Sequence, residues 1–183
     1  MSLPWTDGHS HKERVARTIG HSAPFVSVAR DHGEGEVVID DHGRAVTRWG
    51  FDDEVDARMS RRAMCEQAKL HHAAGAKEIV TFYQQPVIWR EGEDFDAFLA
   101  EIERASLAAN DIAAFTAHQM GSCRLGADPE TSVTDGRGEL HDTAGVWIGD
   151  GSAFPTAPGV NPMISIMSLA HRTAHHIIAS GSD

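Results

Sequence analysis

His118 is a candidate general base in the segment HQMGSCRLG, which spans residues 118–126. It follows the apolar run IAAFTA and precedes Gly121. An imidazole titrates near neutral pH, which suits proton transfer under physiological conditions. A histidine in such a setting is also commonly a core residue with a satisfied ring, so this segment alone leaves both interpretations open.

Asn161 and Pro162 predict the start of the last helix, in the segment NPMISIMSLAHRTAHH. Asn is among the best N-cap residues, and Pro is favoured at the first helical position. The free amides that follow, beginning at Met163, would form a site for negative charge, aided by the helix dipole. A helix that is merely well capped is the alternative interpretation.

Asp150 and Gly151 follow an apolar run in the segment GVWIGDGSAFP, residues 145–155. The pattern predicts a buried strand that ends at an acid and a flexible glycine. In α/β folds, ligands often bind at the carboxyl ends of strands. An ordinary turn after a strand would have the same sequence, so this segment is also ambiguous by itself.

His171 and His175 are four residues apart on the predicted last helix, a spacing that can chelate a metal ion. No HExxH motif is present and no third ligand is evident. The two histidines also continue the stripe of Ile164 and Met167. We therefore predict no metal site, and a metallohydrolase built on this helix would require stoichiometric metal in the purified protein.

The composition excludes several classes of function. The formal net charge of −11 argues against nucleic acid and against an anionic membrane surface as partners. No apolar run reaches the ~18 residues of a transmembrane helix. The two cysteines, Cys65 and Cys123, form no CxxC pair, so a disulfide framework or thiolate zinc site is not expected. A reducing, cytoplasmic compartment is the default expectation.

The remaining patterns predict an α+β fold with a largely antiparallel sheet. Residues 35–51 predict a hairpin with an Asp-His-Gly turn, and residues 24–31 also alternate apolar and polar side chains. The segment at residues 77–89 is β-rich until Pro86, and further strand-like runs are expected at residues 113–126 and 145–150. Helices are predicted over residues 52–76, with a stop at Gly75, over 93–106 and over 161–178. In the first of these helices, roughly helical spacing relates the apolar residues Val55, Met59, Met64, Ala68 and Leu70.

Taken together, three segments resemble the C-terminal end of the glucose–methanol–choline (GMC) flavin oxidoreductases. They are His118-x-x-Gly-Ser-Cys-Arg-Leu-Gly, GVWIGDGSAFPT and GVNPMISIMSLAHR, in family order within residues 117–178. The wording AHQMGSCR and NPMISIM is most similar to the long-chain alcohol oxidase branch. Residues 20–116 match the family's substrate-binding cap region in general character.

The resemblance also has a large departure. The family's FAD-binding GxGxxG lies near the N-terminus of a much longer chain, and these 183 residues have no such fingerprint. We therefore expect residues 1–183 to be one C-terminal fragment, or one half of a split enzyme. Residues 20–116 would be mainly cap, and residues 117–178 the active-site and C-terminal segment of the FAD domain. The fold implied is a cap sheet with flanking helices plus the last strand and helix of that domain.

The resemblance implies roles for the candidate residues. His118 would accept the hydroxyl proton of an alcohol as its α-hydride passes to flavin, and Asn161 would hold the substrate oxygen. Pro162 and Met163 would face the flavin. Asp150 and Gly151 would lie against the ribityl–diphosphate part of FAD. FAD is expected in the full-length enzyme but not on this fragment, which should be inactive alone.

Two partners follow from the same resemblance, the alcohol substrate and the missing N-terminal FAD-binding region. Apolar surface left uncovered without that region could drive self-association. The alternative of a different class is a non-catalytic, acidic α+β interaction domain. A GxGxxG segment in the same or a neighbouring gene would favour the enzyme.

Overall fold

The structure, a computed structural model of the chain, describes residues 9–181. The chain divides into two compact units between Phe115 and Thr116. The described residues form four helices and two antiparallel two-stranded sheets, which confirms the α+β class. In chain order they are α1 (His9–Thr18), β1 (Glu36–Ile39), β2 (Ala45–Arg48), α2 (Glu54–Ala73), β3 (Glu78–Val80), β4 (Ile88–Arg90), α3 (Phe95–Arg104) and α4 (Met163–Ser180).

The core of the first unit is built from α2, α3 and the β3–β4 hairpin. Its centre is apolar and aromatic, with Ile102 only 1% exposed and Trp89 and Phe98 also buried. The Trp89 indole N–H donates to the carbonyl of Glu93 at 3.0 Å, so burying this ring leaves no unpaired donor. The predicted helices over residues 52–76 and 93–106 are therefore confirmed, with slightly shorter bounds.

Aspartates cap both helices of this core. Asp53 accepts hydrogen bonds from the N–H groups of Val55 and Asp56, and Asp94 accepts one from Ala97. Such caps satisfy amides that have no partner inside the helix. At the other end α2 stops at Ala73, and Gly75 adopts φ of +83°, the left-handed conformation in which a glycine ends a helix.

Leu70 shares the helical spacing of the other apolar residues of α2, but it does not face the core. Leu70 is 59% exposed, whereas Cys65 and Ala68 face the core. Each helical residue turns by about 100°, so Leu70 lies about 200° around the axis from Ala68. The side chain therefore projects toward the solvent side of α2.

The predicted hairpin at residues 35–51 is confirmed as β1 and β2, with Val37 paired to Thr47 and Ile39 to Ala45. Its turn is organised by Asp40, whose side chain accepts from the backbone N–H groups of His42 and Arg44. The segment predicted to be β-rich up to Pro86 contains β3, and β4, which lies beyond that proline and was not predicted, pairs with it. By contrast, the alternating residues 24–31 form no strand.

The second unit is held by loops and single bridges around α4. The predicted strands at residues 113–126 and 145–150 are wrong, because neither segment forms a ladder. Leu125 pairs once with Thr134, and Trp147 once with Glu139. An apolar run becomes a strand only where an extended neighbour lies alongside it, and here the neighbours are turns. In residues 9–181, no helix combines the length and apolarity that crossing a membrane requires.

Candidate functional site

Two of the three segments that carry the family resemblance run side by side in the second unit. The backbone N–H of Cys123 donates to the carbonyl of Ser152 at 2.9 Å. The N–H of Leu125 donates to the carbonyl of Ala153, also at 2.9 Å. These two bonds join the segment that contains His118 to the one that contains Asp150 and Gly151.

Gly151 lies where these segments meet α4. It is buried, and a Cβ atom placed on it would lie 3.2 Å from the carbonyl oxygen of Gln119 and 3.3 Å from Cδ1 of Ile166. Both distances are shorter than ordinary van der Waals contact. A residue without a side chain is therefore what lets residues 118–119, 150–151 and the first turns of α4 pack together.

His118 is half-buried, and its backbone is held by Thr116. The N–H of His118 donates to the Thr116 hydroxyl oxygen at 3.1 Å, and the Gln119 side-chain amide donates to the Thr116 carbonyl at 3.0 Å. Within residues 9–181 the imidazole itself makes no hydrogen bond or ion pair.

The predicted cap of the last helix needs a correction. The helix begins at Met163, its N-cap is Pro162 with φ −88° and ψ 2°, and no side chain caps it. Asn161 is therefore not the N-cap. The first backbone hydrogen bond of the helix runs from the Ile166 N–H to the Pro162 carbonyl at 2.8 Å, so the carbonyl of Pro162 rather than that of Asn161 closes the first turn.

The same geometry leaves polar groups at the start of α4 open to a ligand. Asn161 is exposed, and its side-chain amide has no hydrogen-bond partner in the described part of the chain. Met163 is 65% exposed, whereas Pro162 is buried. With no cap, the first amides of α4 keep their partial positive charge.

Asp150 is exposed and held as a carboxylate by Ser152. It accepts from the Ser152 hydroxyl and, at 2.8 Å, from the Ser152 backbone N–H. The hydroxyl contact first, and then the backbone contact, lower the pKa of this carboxyl. An ionised, exposed carboxylate can accept further hydrogen bonds from hydroxyl groups but repels phosphates.

The histidines of α4 contact each other, with the rings of His171 and His175 4.6 Å apart in an edge-to-face arrangement. Among the residues described, a different group brings three metal-type ligands within 4.8 Å, namely His32, Asp53 and Asp56. Asp56 is already occupied there, because it accepts from the backbone N–H groups of His32 and Gly33 at 2.7–3.0 Å. These hydrogen bonds attach the loop that contains His32 and Gly33 to α2.

The site contains two residues that the sequence analysis did not select. Thr116 positions the His118 backbone through its hydroxyl oxygen. A threonine two residues before the histidine is a sequence signal for a turn of this kind, in which a Ser or Thr hydroxyl accepts from the backbone N–H two residues on. Ile166 packs against Gly151, and no local pattern distinguishes it from the other apolar residues of its helix. The structure places no hydrogen bond between His118 and Asn161.

A family model described as GMC oxidoreductase, for the C-terminal region of that family, matches residues 31–170. The chain belongs to the GMC oxidoreductase family. It is 31% identical over 185 aligned positions to long-chain-alcohol oxidase FAO4B of Arabidopsis thaliana, across 97% of this chain and 24% of that protein.

Two further relatives come from bacteria. An uncharacterized GMC-type oxidoreductase of Mycobacterium tuberculosis is 32% identical over 157 residues, across 86% of this chain and 24% of its own length. Paromamine 6'-oxidase of Streptomyces fradiae is 44% identical over 57 residues, across 31% of this chain and 10% of its own length. The chain spans about a quarter of the length of the first curated relatives that it matches.

Proposed function

We propose that this chain is the C-terminal part of an FAD-dependent alcohol oxidase or dehydrogenase. The observation that carries the proposal is the packing of residues 119–125 against residues 151–154 and the start of α4. These are the segments on which the resemblance places the base, the substrate-oxygen donor and the flavin contacts. The long-chain-alcohol oxidases among the relatives make a long-chain alcohol the first substrate to test.

In this proposal His118 is the base that accepts the hydroxyl proton of the alcohol. Its imidazole has no competing partner among residues 9–181, so a ring nitrogen is available to a ligand. Thr116 fixes the backbone of His118 and thereby limits where the ring can reach. Removal of the proton builds negative charge on the substrate oxygen, and the unpaired side-chain amide of Asn161 is the proposed donor to it.

The groups that would hold FAD are polar side chains and backbone atoms that no side chain covers. The uncapped amides at Met163 suit a partial negative charge, and Gly151 offers backbone without a side chain. The Asp150 carboxylate suits the ribityl hydroxyls better than the diphosphate, because two anions repel. When bound, FAD would supply the hydride acceptor that this chain's own side chains lack.

The missing region of the relatives is the proposed partner of the chain. Exposed apolar side chains follow the outer face of α4, namely Met163, Ile164, Met167 and Ile178. This face would pack against the FAD-binding region, and without it the chain should be colourless, inactive and prone to self-association. The two unpaired cysteines are consistent with the cytoplasmic location that we propose.

The proposal is tested by His118→Ala in the full-length, flavin-loaded enzyme, with His42→Ala in the exposed β1–β2 turn as the matched control. We expect turnover of a long-chain alcohol to fall by about 10²–10⁴ in His118→Ala, as is usual for loss of a general base. Flavin content, read from the absorbance spectrum, should be unchanged in both variants. Near wild-type turnover in His118→Ala would remove the assignment of His118 as the base. If the full-length wild-type protein neither binds FAD nor oxidises alcohols, the non-catalytic interaction domain is favoured instead.

A further inference from the structure

A cluster of basic side chains lies on the first unit and includes none of the residues assigned above. Arg58, Arg61, Arg62 and Lys69 on α2 line a depression of about 550 Å³, together with Cys65, Glu66 and, from α3, Glu103. Four basic and two acidic side chains give it an excess of two positive charges. The formal charge of the whole chain is −11, so this depression is locally opposite in sign to the protein.

The guanidinium groups of this cluster form no close ion pair, although the charge of Arg62 acts on the neighbouring Glu66. In the described part of the chain, the side chains of Arg58, Arg61 and Arg62 make no ion pair within 4.0 Å and no hydrogen bond. On the hairpin of the same unit, by comparison, Arg44 is paired with Asp40 and Arg48 with Glu36. In the depression itself Glu66 is already engaged by Lys69 at 2.9 Å.

Arg61 provides a second, independent sign of an absent acceptor. Its Nε atom is buried and has no hydrogen-bond partner. Buried polar groups in folded proteins are nearly always paired, because a desolvated donor without an acceptor is costly, and more so when it carries charge. Three unpaired guanidinium groups on adjacent turns of one helix also repel one another. An anion in the depression would relieve both costs.

We propose that this depression binds the phosphate group of an anionic ligand. A phosphate presents three acceptor oxygens and up to two negative charges, which match several convergent guanidinium groups and the excess of two positive charges better than a carboxylate does. Recognition is by side chains on the flank of α2, with the buried Cys65 among the residues that line the depression. The phosphate belongs either to a soluble compound or to a lipid headgroup, and these sources differ in a binding assay.

The test is titration of the 183-residue chain with inorganic phosphate by calorimetry, at constant ionic strength and with chloride as the competing anion. The double variant Arg58→Gln/Arg62→Gln removes two of the proposed ligands. Its matched control, Arg44→Gln/Arg48→Gln, removes the same net charge from the exposed hairpin. We expect phosphate affinity to fall by at least about tenfold in the first double variant, because a single hydrogen bond to a charged group already accounts for such a factor, and to stay unchanged in the control.

A second arm uses sedimentation with phosphatidylcholine vesicles, with and without phosphatidylglycerol. Binding that requires phosphatidylglycerol and is lost in Arg58→Gln/Arg62→Gln, without binding of free phosphate, supports the proposal and identifies a lipid headgroup as the source. Binding of free phosphate with the same dependence supports a soluble source. Absence of both, or equal binding by the two double variants, overturns the proposal.

Glu103→Gln tests the site without removing an arginine. Loss of this acidic side chain from the rim should tighten phosphate binding, and circular dichroism checks that each variant is folded. If the double arginine variant unfolds, unchanged phosphate affinity in Glu103→Gln overturns the proposal by itself.

Discussion

Replacing Gly151 by alanine tests whether the candidate site is assembled as the structure describes. The new Cβ would lie 3.2 Å from the Gln119 carbonyl oxygen and 3.3 Å from Cδ1 of Ile166. The Ile166 side chain can rotate away, whereas the Gln119 oxygen belongs to the backbone that carries His118. One or both neighbours must therefore move by a few tenths of an ångström.

Overpacking of this kind typically costs about 1–3 kcal/mol of unfolding free energy. In a chain of this size, each kcal/mol lowers the melting temperature by roughly 2–4 °C. The amides of Cys123 and Leu125, which bond to Ser152 and Ala153, should also exchange faster with solvent in Gly151→Ala. Thermal unfolding and amide hydrogen exchange measure the two effects separately.

Gly136→Ala is the matched control, because a Cβ at Gly136 meets no atom within 4 Å. We expect this substitution to leave stability unchanged or to raise it by about 0.4–1 kcal/mol, since it reduces the freedom of the unfolded chain. Equal melting temperatures for Gly151→Ala and Gly136→Ala, with the amides of Cys123 and Leu125 still protected from exchange, would contradict this packing. Gly151 would then not contact Gln119 and Ile166 as described.

Three further substitutions test separate parts of the molecule. Asn161→Ala should lower turnover of the full enzyme by about 10²–10³. It should change the free energy of unfolding by less than about 0.5 kcal/mol, because Asn161 does not cap α4. A clear fall in melting temperature would instead show that Asn161 acts as a cap. Ile102→Ala should cost about 2–5 kcal/mol in urea unfolding, since Ile102 is 1% exposed, and a cost under 1 kcal/mol would contradict the core described here. Burial raises the pKa of Asp135, but its hydrogen bonds from Arg137 and from the backbone N–H of Glu139 outweigh this and lower it to about 2. The stabilisation from Asp135, on the order of 1–2 kcal/mol, is therefore full above its unfolded pKa and lost as the pH falls from about 5 to about 2, and Asp135→Asn should remove that part of the pH dependence.

The sequence determined the elements whose signals are local. Such signals predicted the helices over residues 52–76 and 93–106, the stop of the first at Gly75, and the Asp-His-Gly turn of the first hairpin. Each depends on residues within one or two turns of the chain, so pattern and propensity are sufficient. The three C-terminal segments likewise indicated the family from their order and wording alone, and the family model confirms it.

The tertiary structure decided whatever depended on a distant neighbour. The apolar runs that contain Phe115 and Trp147 have strand-like composition, yet they lie against turns and form no ladder. Asn is a typical N-cap residue, yet the N-cap of α4 is Pro162, one residue later, and no side chain caps the helix. Strand pairing and close packing at Gly151 are contacts between residues far apart in sequence, so no window of neighbouring residues specifies them.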